Sequence, residues 1–146
     1  MLKVLIAEDD LMIADLAEEI LVDKGYEVCG IARTVAEALA LAQHHKPDLA
    51  VIDLRLADGD LGTEIAAQLL PLGRLGVLYA TGNISHVVLT TSDGDASLSK
   101  PYSSADLLRS LEVVAEIVAT GTALPPFPKG FQILHPAATT PPAVAA

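Results

Sequence analysis

The chain has 146 residues, of which 51% are hydrophobic and 3% aromatic, and nineteen acidic against nine basic residues give a net charge of −10. This length suits one compact domain, whose core must be built mainly from Ala, Leu, Val and Ile. The charge would repel a phosphate backbone and argues against nucleic-acid binding; no apolar run approaches the roughly 18 residues of a membrane span, so we expect a soluble cytoplasmic protein.

The first predicted elements are a short apolar strand and a helix. The strand covers Val4–Ala7, and Asp10 is well placed to cap the helix that follows it. Gly25 is a typical stop for that helix. Between these two residues the apolar side chains recur at three- and four-residue spacing, which predicts a helix with one apolar stripe: Ile13, Leu16, Ala17, Ile20 and Leu21.

Two more helices and three more strands follow in alternation, and the first of these strands contains Cys29. Thr34 and Glu37 have the spacing of a capping box, and the helix they open ends before Pro47. The runs 49–52 and 77–80 are apolar without alternation, which is typical of strands buried on both faces. The helix between those strands carries Ile65, Leu69 and Leu72 on one face.

The remaining foldable part is less regular at first and then strongly helical. The β-branched segment from Ile84 to Thr91 is interpreted as a weak helix. A fifth strand ends at Lys100, and a long amphipathic helix begins at Ser103. Strand and helix thus alternate five times. This order predicts a doubly wound, five-stranded parallel sheet with helices on both faces, and places chemistry at the carboxyl ends of its strands.

Residues 121–146 have a different composition from residues 1–120, which we assign to a single domain. Six of the nine prolines fall in this C-terminal tail, and its last ten residues are nearly all Ala, Thr and Pro. Phe127 and Phe131 give its first part an apolar character that a linker does not need. We favour a tail folded back on its own domain, with a polyproline ligand at 125–128 as the alternative.

Polar residues stand where four of the predicted strands end. Glu8, Asp9 and Asp10 follow the first strand and Asp53 the third, while Thr81 and Lys100 end the fourth and fifth. Carboxylates held together repel one another, and a hard divalent cation such as Mg²⁺ relieves that repulsion. One carboxylate can then attack a phosphoryl group, with the Lys100 ammonium and a Thr81 hydroxyl stabilising its oxygens.

At this point the sequence resembles the receiver domain of two-component response regulators, a family of flavodoxin-like fold, over about residues 2–120. The resemblance implies that Asp53 accepts phosphate from a histidine of a sensor kinase or phosphotransfer protein. It also implies that Mg²⁺ is held by Glu8, Asp9, Asp53 and the backbone carbonyl of Arg55, with Thr81 as switch hydroxyl and Lys100 as phosphate partner. The matching segments are Val4–Asp10, Pro47–Leu54, Tyr79–Gly82 and Leu98–Tyr102.

Three positions depart from the family pattern. Ala57 stands where a proline is usual, four residues after the acceptor, and the glycine usual at 61 is found at Gly62, which suggests one inserted residue. Ser97 replaces the aromatic residue that usually lies three positions before the lysine. The usual coupling between threonine and a buried aromatic therefore cannot operate, and Tyr102 is a candidate substitute.

The function expected from these residues is that of a stand-alone phosphoacceptor that signals by contact with an unknown protein partner or by onward phosphotransfer, and that is not an enzyme. Arg55 and Asn83, expected at the mouth of the site, would then influence the lifetime of the phosphate. One alternative is a pseudo-receiver regulated by partner contact alone. Another is a phosphatase with an aspartyl-phosphate intermediate, but Arg55 stands where such an enzyme normally has a second acidic residue.

Overall fold

The protein folds around one six-stranded sheet. The computed structural model describes residues 1–82 and 88–136. Strands β1 to β5 are parallel, β6 is antiparallel to β5, and the order across the sheet is β2-β1-β3-β4-β5-β6. The strands are Lys3–Ala7 (β1), Glu27–Ala32 (β2), Leu49–Asp53 (β3), Gly76–Thr81 (β4), Ala96–Ser99 (β5) and Phe131–Ile133 (β6).

Helices α1 (Leu11–Lys24) and α2 (Val35–His45) begin and end where the sequence signals predict, whereas α3 (Gly62–Leu69) ends before Leu72, which was predicted to share its face. Asp10 caps α1 with its side chain, Thr34 caps α2 by accepting from the Glu37 N–H, and Gly25 ends α1 in the left-handed region. Short 3-10 turns lie at 57–59 and 70–72. The α-helices are Leu11–Lys24 (α1), Val35–His45 (α2), Gly62–Leu69 (α3) and Ser104–Thr120 (α4). Across the described ranges, we find no helix with the length and apolarity needed to span a bilayer.

Each face of the sheet has its own apolar core. Helices α2 and α3 cover one face, together with Tyr79 and Leu134. Helices α1 and α4 cover the other, and Leu107 and Leu111 of α4 are fully buried there. Because both faces are covered, β1, β3 and β4 consist almost entirely of buried apolar residues. The doubly wound architecture is therefore confirmed.

The strand count and one helix differ from the prediction. The sheet has six strands instead of five, because Phe131–Ile133 turns back and pairs with Ala96–Leu98. The preferred interpretation of the tail is thereby confirmed for its first part. Of the segment interpreted as a weak helix, residues 84–87 lie outside the described residues. Its last four residues are not helical, and Thr90 forms a bridge with His135 of the tail. The division of the chain at residue 120 stays a prediction.

Candidate functional site

The carboxyl ends of β1, β3, β4 and β5 bring the predicted site residues to one rim of the sheet. Asp53 is the last residue of β3 and is the register partner of Ala80, directly before Thr81. Thr81 is in turn the register partner of Ser99, directly before Lys100. Glu8 follows β1, which pairs with β3 on the edge of β3 opposite to β4. Parallel pairing in this order is what places residues distant in sequence beside each other.

Lys100 is the cation of the site and contacts two carboxylates. Its Nζ donates to Asp53 Oδ2 at 2.9 Å and also to Glu8 Oε1. The Lys100 and Asp53 side chains are 16% and 15% exposed, so both reach the surface, whereas Glu8 is buried. The Lys100 main chain is fixed as well, because its N–H donates to the Thr81 carbonyl at 2.7 Å. The ammonium is thus held directly beside the expected acceptor.

Glu8 and Lys100 both have shifted pKa values, for different reasons. Burial, together with the hydrogen bond to Asp53 and that residue's charge, raises the pKa of Glu8 to about 7, although Lys100 opposes the shift. Burial opposes the charge of Lys100, but its hydrogen bonds to Glu8 and Asp53 outweigh that effect and raise its pKa. Because three carboxylates share one ammonium at this rim, binding of a further cation is electrostatically favourable.

Three carboxylates fit a hard divalent cation at this rim. Glu8, Asp9 and Asp53 each offer an oxygen, and these atoms lie within 4.8 Å of one another. An all-oxygen donor set with open access to water from the exposed Asp9 is what Mg²⁺ prefers. Asp10 has a different task, because its Oδ1 accepts from the N–H groups of Met12 and Ile13 at the start of α1. Its own N–H donates to Glu8 Oε2 at 3.3 Å and helps to orient that carboxylate.

Thr81 and Arg55 are also brought to the rim. Thr81 is buried at the end of β4. The Arg55 N–H donates to Asp53 Oδ1 at 3.2 Å, so this residue orients the acceptor through its amide. A role for its carbonyl as a metal ligand stays a prediction, as does the switch role of the Thr81 hydroxyl. Asn83, expected at the mouth of the site, lies outside the described residues.

The loop after Asp53 explains two of the departures from the family pattern. The Ala57 N–H donates to the Arg33 carbonyl at 2.9 Å, a bond that a proline at this position would lack. Gly62 packs directly against the acceptor, since a Cβ at this position would lie 2.0 Å from the Asp53 carbonyl oxygen. The sequence analysis did not predict this close packing of Gly62 on Asp53. The glycine found at 62, one position later than is usual in the family, was the feature that could have indicated it.

The third departure lies in the core. Ser97 is buried on β5, and its register partner on β4 is the fully buried Tyr79. Tyr102, the candidate substitute for the missing aromatic, is only partly buried beside the α1 and α4 core. The aromatic residue paired with this position therefore belongs to the neighbouring strand β4.

Comparisons with known proteins agree with this geometry. Residues 4–112 match the family model of the response regulator receiver domain. The transcriptional regulatory protein PdtaR of Mycobacterium tuberculosis is 36% identical over 126 residues, which are 84% of this chain and 60% of that protein. The chain thus spans 60% of that curated relative's length.

Two solved structures extend the comparison. A CheY-like receiver domain protein from Methanospirillum hungatei has a TM-score of 0.73 and 29% identity, covering 83% of this chain and 98% of that one. A variant of the anti-anti-sigma factor PhyR from Bartonella quintana has a TM-score of 0.69 and 28% identity, covering 83% of this chain and 50% of that one.

Proposed function

We propose that this chain, which belongs to the response regulator receiver domain family, accepts a phosphoryl group on Asp53 from a histidine of a sensor kinase or phosphotransfer protein. The observation that carries the proposal is the contact of Lys100 Nζ with Asp53 Oδ2 at 2.9 Å, on a rim that also holds Glu8 and Asp9. A nucleophile that reaches the surface, a fixed ammonium and a cation site are the parts that phosphoryl transfer to a carboxylate requires.

In the proposed step a carboxylate oxygen of Asp53 attacks the phosphorus of the phosphohistidine. The new O–P bond makes an acyl phosphate, and the P–N bond breaks with its electron pair returning to the imidazole. Lys100 then stabilises the negative charge on the phosphoryl oxygens, and the Thr81 hydroxyl donates a hydrogen bond to one of them. Mg²⁺, held by Glu8, Asp9, Asp53 and the Arg55 carbonyl, would supply the further positive charge that this transfer needs.

The phosphorylated form would act through another protein. We propose that it is recognised by a partner or passes its phosphoryl group on, since the net charge of −10 disfavours nucleic acid as the direct target. A shift of a few kcal/mol between two arrangements of the Thr81 and Lys100 segments is enough for such a response. Cytoplasmic location belongs to the same proposal.

A second candidate function is that of a pseudo-receiver regulated by partner contact without phosphorylation. The likeness to a variant of PhyR, an anti-anti-sigma factor, is what favours it. The acidic residues and Lys100, which such a module does not need, favour the phosphoacceptor.

The two candidates are separated by incubating the protein with Mg²⁺ and acetyl phosphate, or with a cognate kinase. The phosphoacceptor gains one acid-labile phosphate that is absent from Asp53→Asn. Unchanged labelling of that variant would overturn the assignment of Asp53. A wild-type protein that takes no phosphate from either donor would contradict the phosphoacceptor and favour the pseudo-receiver.

A further inference from the structure

The C-terminal segment, residues 122–136, is attached to the domain at several places although the receiver match ends at residue 112. Arg109 of α4 donates to the carbonyls of Leu124 and Pro126 at 2.9 and 3.1 Å. Strand β6 pairs with β5, and Leu134 is buried in the core beneath α2 and α3. The segment therefore lies along α4, extends the sheet and ends on its opposite face.

One of these contacts lies next to the phosphate site. The Ser99 N–H donates to the Gly130 carbonyl at 3.0 Å, and Ser99 directly precedes Lys100. The Lys100 N–H donates to the Thr81 carbonyl on the other side, at 2.7 Å. The main chain that carries the ammonium is thus held between β4 and the C-terminal segment. Without β6, the four-residue β5 would be an edge strand with Ser99 at its end.

Gly130 is suited to this contact by its backbone and by its small size. Its φ of +82° lies in the left-handed region of the backbone angles, which residues other than glycine rarely adopt. A Cβ at this position would lie 3.3 Å from Ser99 Cβ, closer than most such contacts. A side chain at 130 would therefore disturb the approach of the segment to Ser99.

We propose that the C-terminal segment, through Gly130, positions Lys100 for its contact with the phosphoryl group. Gly130 is then a positioning residue that acts through Ser99 and the main chain of Lys100. The inference rests on the proposed function, because the group that Lys100 is positioned to meet is the phosphoryl group on Asp53. A lysine has a long flexible side chain, so fixing its main chain removes part of the entropy lost when Nζ engages a ligand.

The test uses two ligands that depend differently on Lys100. Beryllofluoride, a phosphoryl analogue, is titrated into the full chain at saturating Mg²⁺, and Mg²⁺ alone is titrated separately, both by calorimetry. We expect Gly130→Ala to weaken beryllofluoride binding about fivefold to tenfold, in the range of coupling between groups in contact, while Mg²⁺ binding is not weakened. Mg²⁺ is spared because its carboxylate ligands lie at the carboxyl ends of β1 and β3.

Gly121→Ala is the matched control. Gly121 also has a positive φ, of +87°, but no atom would meet its Cβ within 4 Å, and it caps α4 away from Lys100. Both affinities of this variant should stay within about twofold of wild type, as expected for a distant site. Arg109→Ala loosens the attachment of the segment to α4 without straining the backbone. This variant should also bind beryllofluoride more weakly while keeping its Mg²⁺ affinity, even where Gly130→Ala does not fold.

The outcomes separate this inference from the proposed function. Equal weakening of both ligands in Gly130→Ala and Arg109→Ala would indicate a merely structural role and overturn the positioning of Lys100. Unchanged beryllofluoride binding in both variants would overturn it as well, while leaving Asp53 as acceptor. A wild-type chain that binds Mg²⁺ but no beryllofluoride would contradict the proposed function, and the inference with it.

Discussion

Tyr79 and Ser97 are register partners on β4 and β5, so the aromatic ring beside this position of β5 comes from the neighbouring strand. The Tyr79 hydroxyl donates to the Asp93 carbonyl at 2.7 Å. Gly94 leaves room for the ring, because a Cβ there would lie 2.9 Å from Tyr79 Cε2. The ring therefore contacts both Asp93 and Gly94, and its hydrogen bond holds the turn that leads into β5.

Tyr79→Phe should lower the free energy of unfolding by about 1 kcal/mol, because removing the hydroxyl leaves the Asp93 carbonyl without its donor. Urea denaturation of both proteins measures the difference. Equal stability would show that water or another donor replaces the hydroxyl, and that Tyr79 does not hold the turn.

Lys100→Met should destabilise the metal-free protein, because it leaves the carboxylates of Glu8 and Asp53 side by side without their cation. We expect a loss of roughly 2 kcal/mol, below the ~3–5 kcal/mol of a fully buried pair, since the Lys100 and Asp53 side chains reach the surface although Glu8 is buried. Added Mg²⁺ should restore part of the loss, because it binds the same carboxylates in the folded state. Thermal unfolding with and without Mg²⁺ checks this, and a deficit that Mg²⁺ leaves unchanged would argue against the metal site.

Gly62→Ala should lower the free energy of unfolding by about 2 kcal/mol, because the new Cβ would overlap the Asp53 carbonyl and force the acceptor strand or α3 to move. Gly73→Ala is the control, since its Cβ would meet no atom within 4 Å and its backbone is extended. Chemical denaturation compares the two. Similar small changes in both variants would refute the close packing of Gly62 on Asp53.

Ala57→Pro should destabilise the protein by about 1–2 kcal/mol, although proline is usual at this place in the family, because the bond from the 57 N–H to the Arg33 carbonyl is lost. Ala57→Ser keeps the N–H and should stay within about 0.5 kcal/mol of wild type. A proline variant as stable as the serine variant would show that this bond does not fix the loop.

Local sequence signals determined most of the architecture. Asp10, Thr34 and Gly25 mark helix boundaries through bonds to their own neighbours, so their roles follow from sequence spacing alone. The grouping of Asp53 with Glu8 and Lys100 also followed, because parallel strands that alternate with helices must place their carboxyl ends together.

Long-range packing explains what was missed. Strand β6 contains three residues in a Pro-rich tail, and its pairing depends on the edge offered by β5, which its own pattern does not encode. The role of Gly62 depends on its approach to a carbonyl nine positions earlier, and the packing of Tyr79 depends on the absence of a side chain at Gly94, fifteen positions later. The segment interpreted as a weak helix likewise ends in a contact between Thr90 and the tail.

The measurement that tests the central claim most directly is the site of phosphate addition. Wild-type protein, Asp53→Asn and Asp9→Asn are incubated with Mg²⁺ and acetyl phosphate, and intact mass with peptide mapping locates the modification. We predict one phosphate on Asp53 in the wild type, none in Asp53→Asn, and slower addition to Asp53 in Asp9→Asn, which lacks one charged metal ligand. A phosphate on any other residue of the wild type, or equal labelling of Asp53→Asn, would contradict the account.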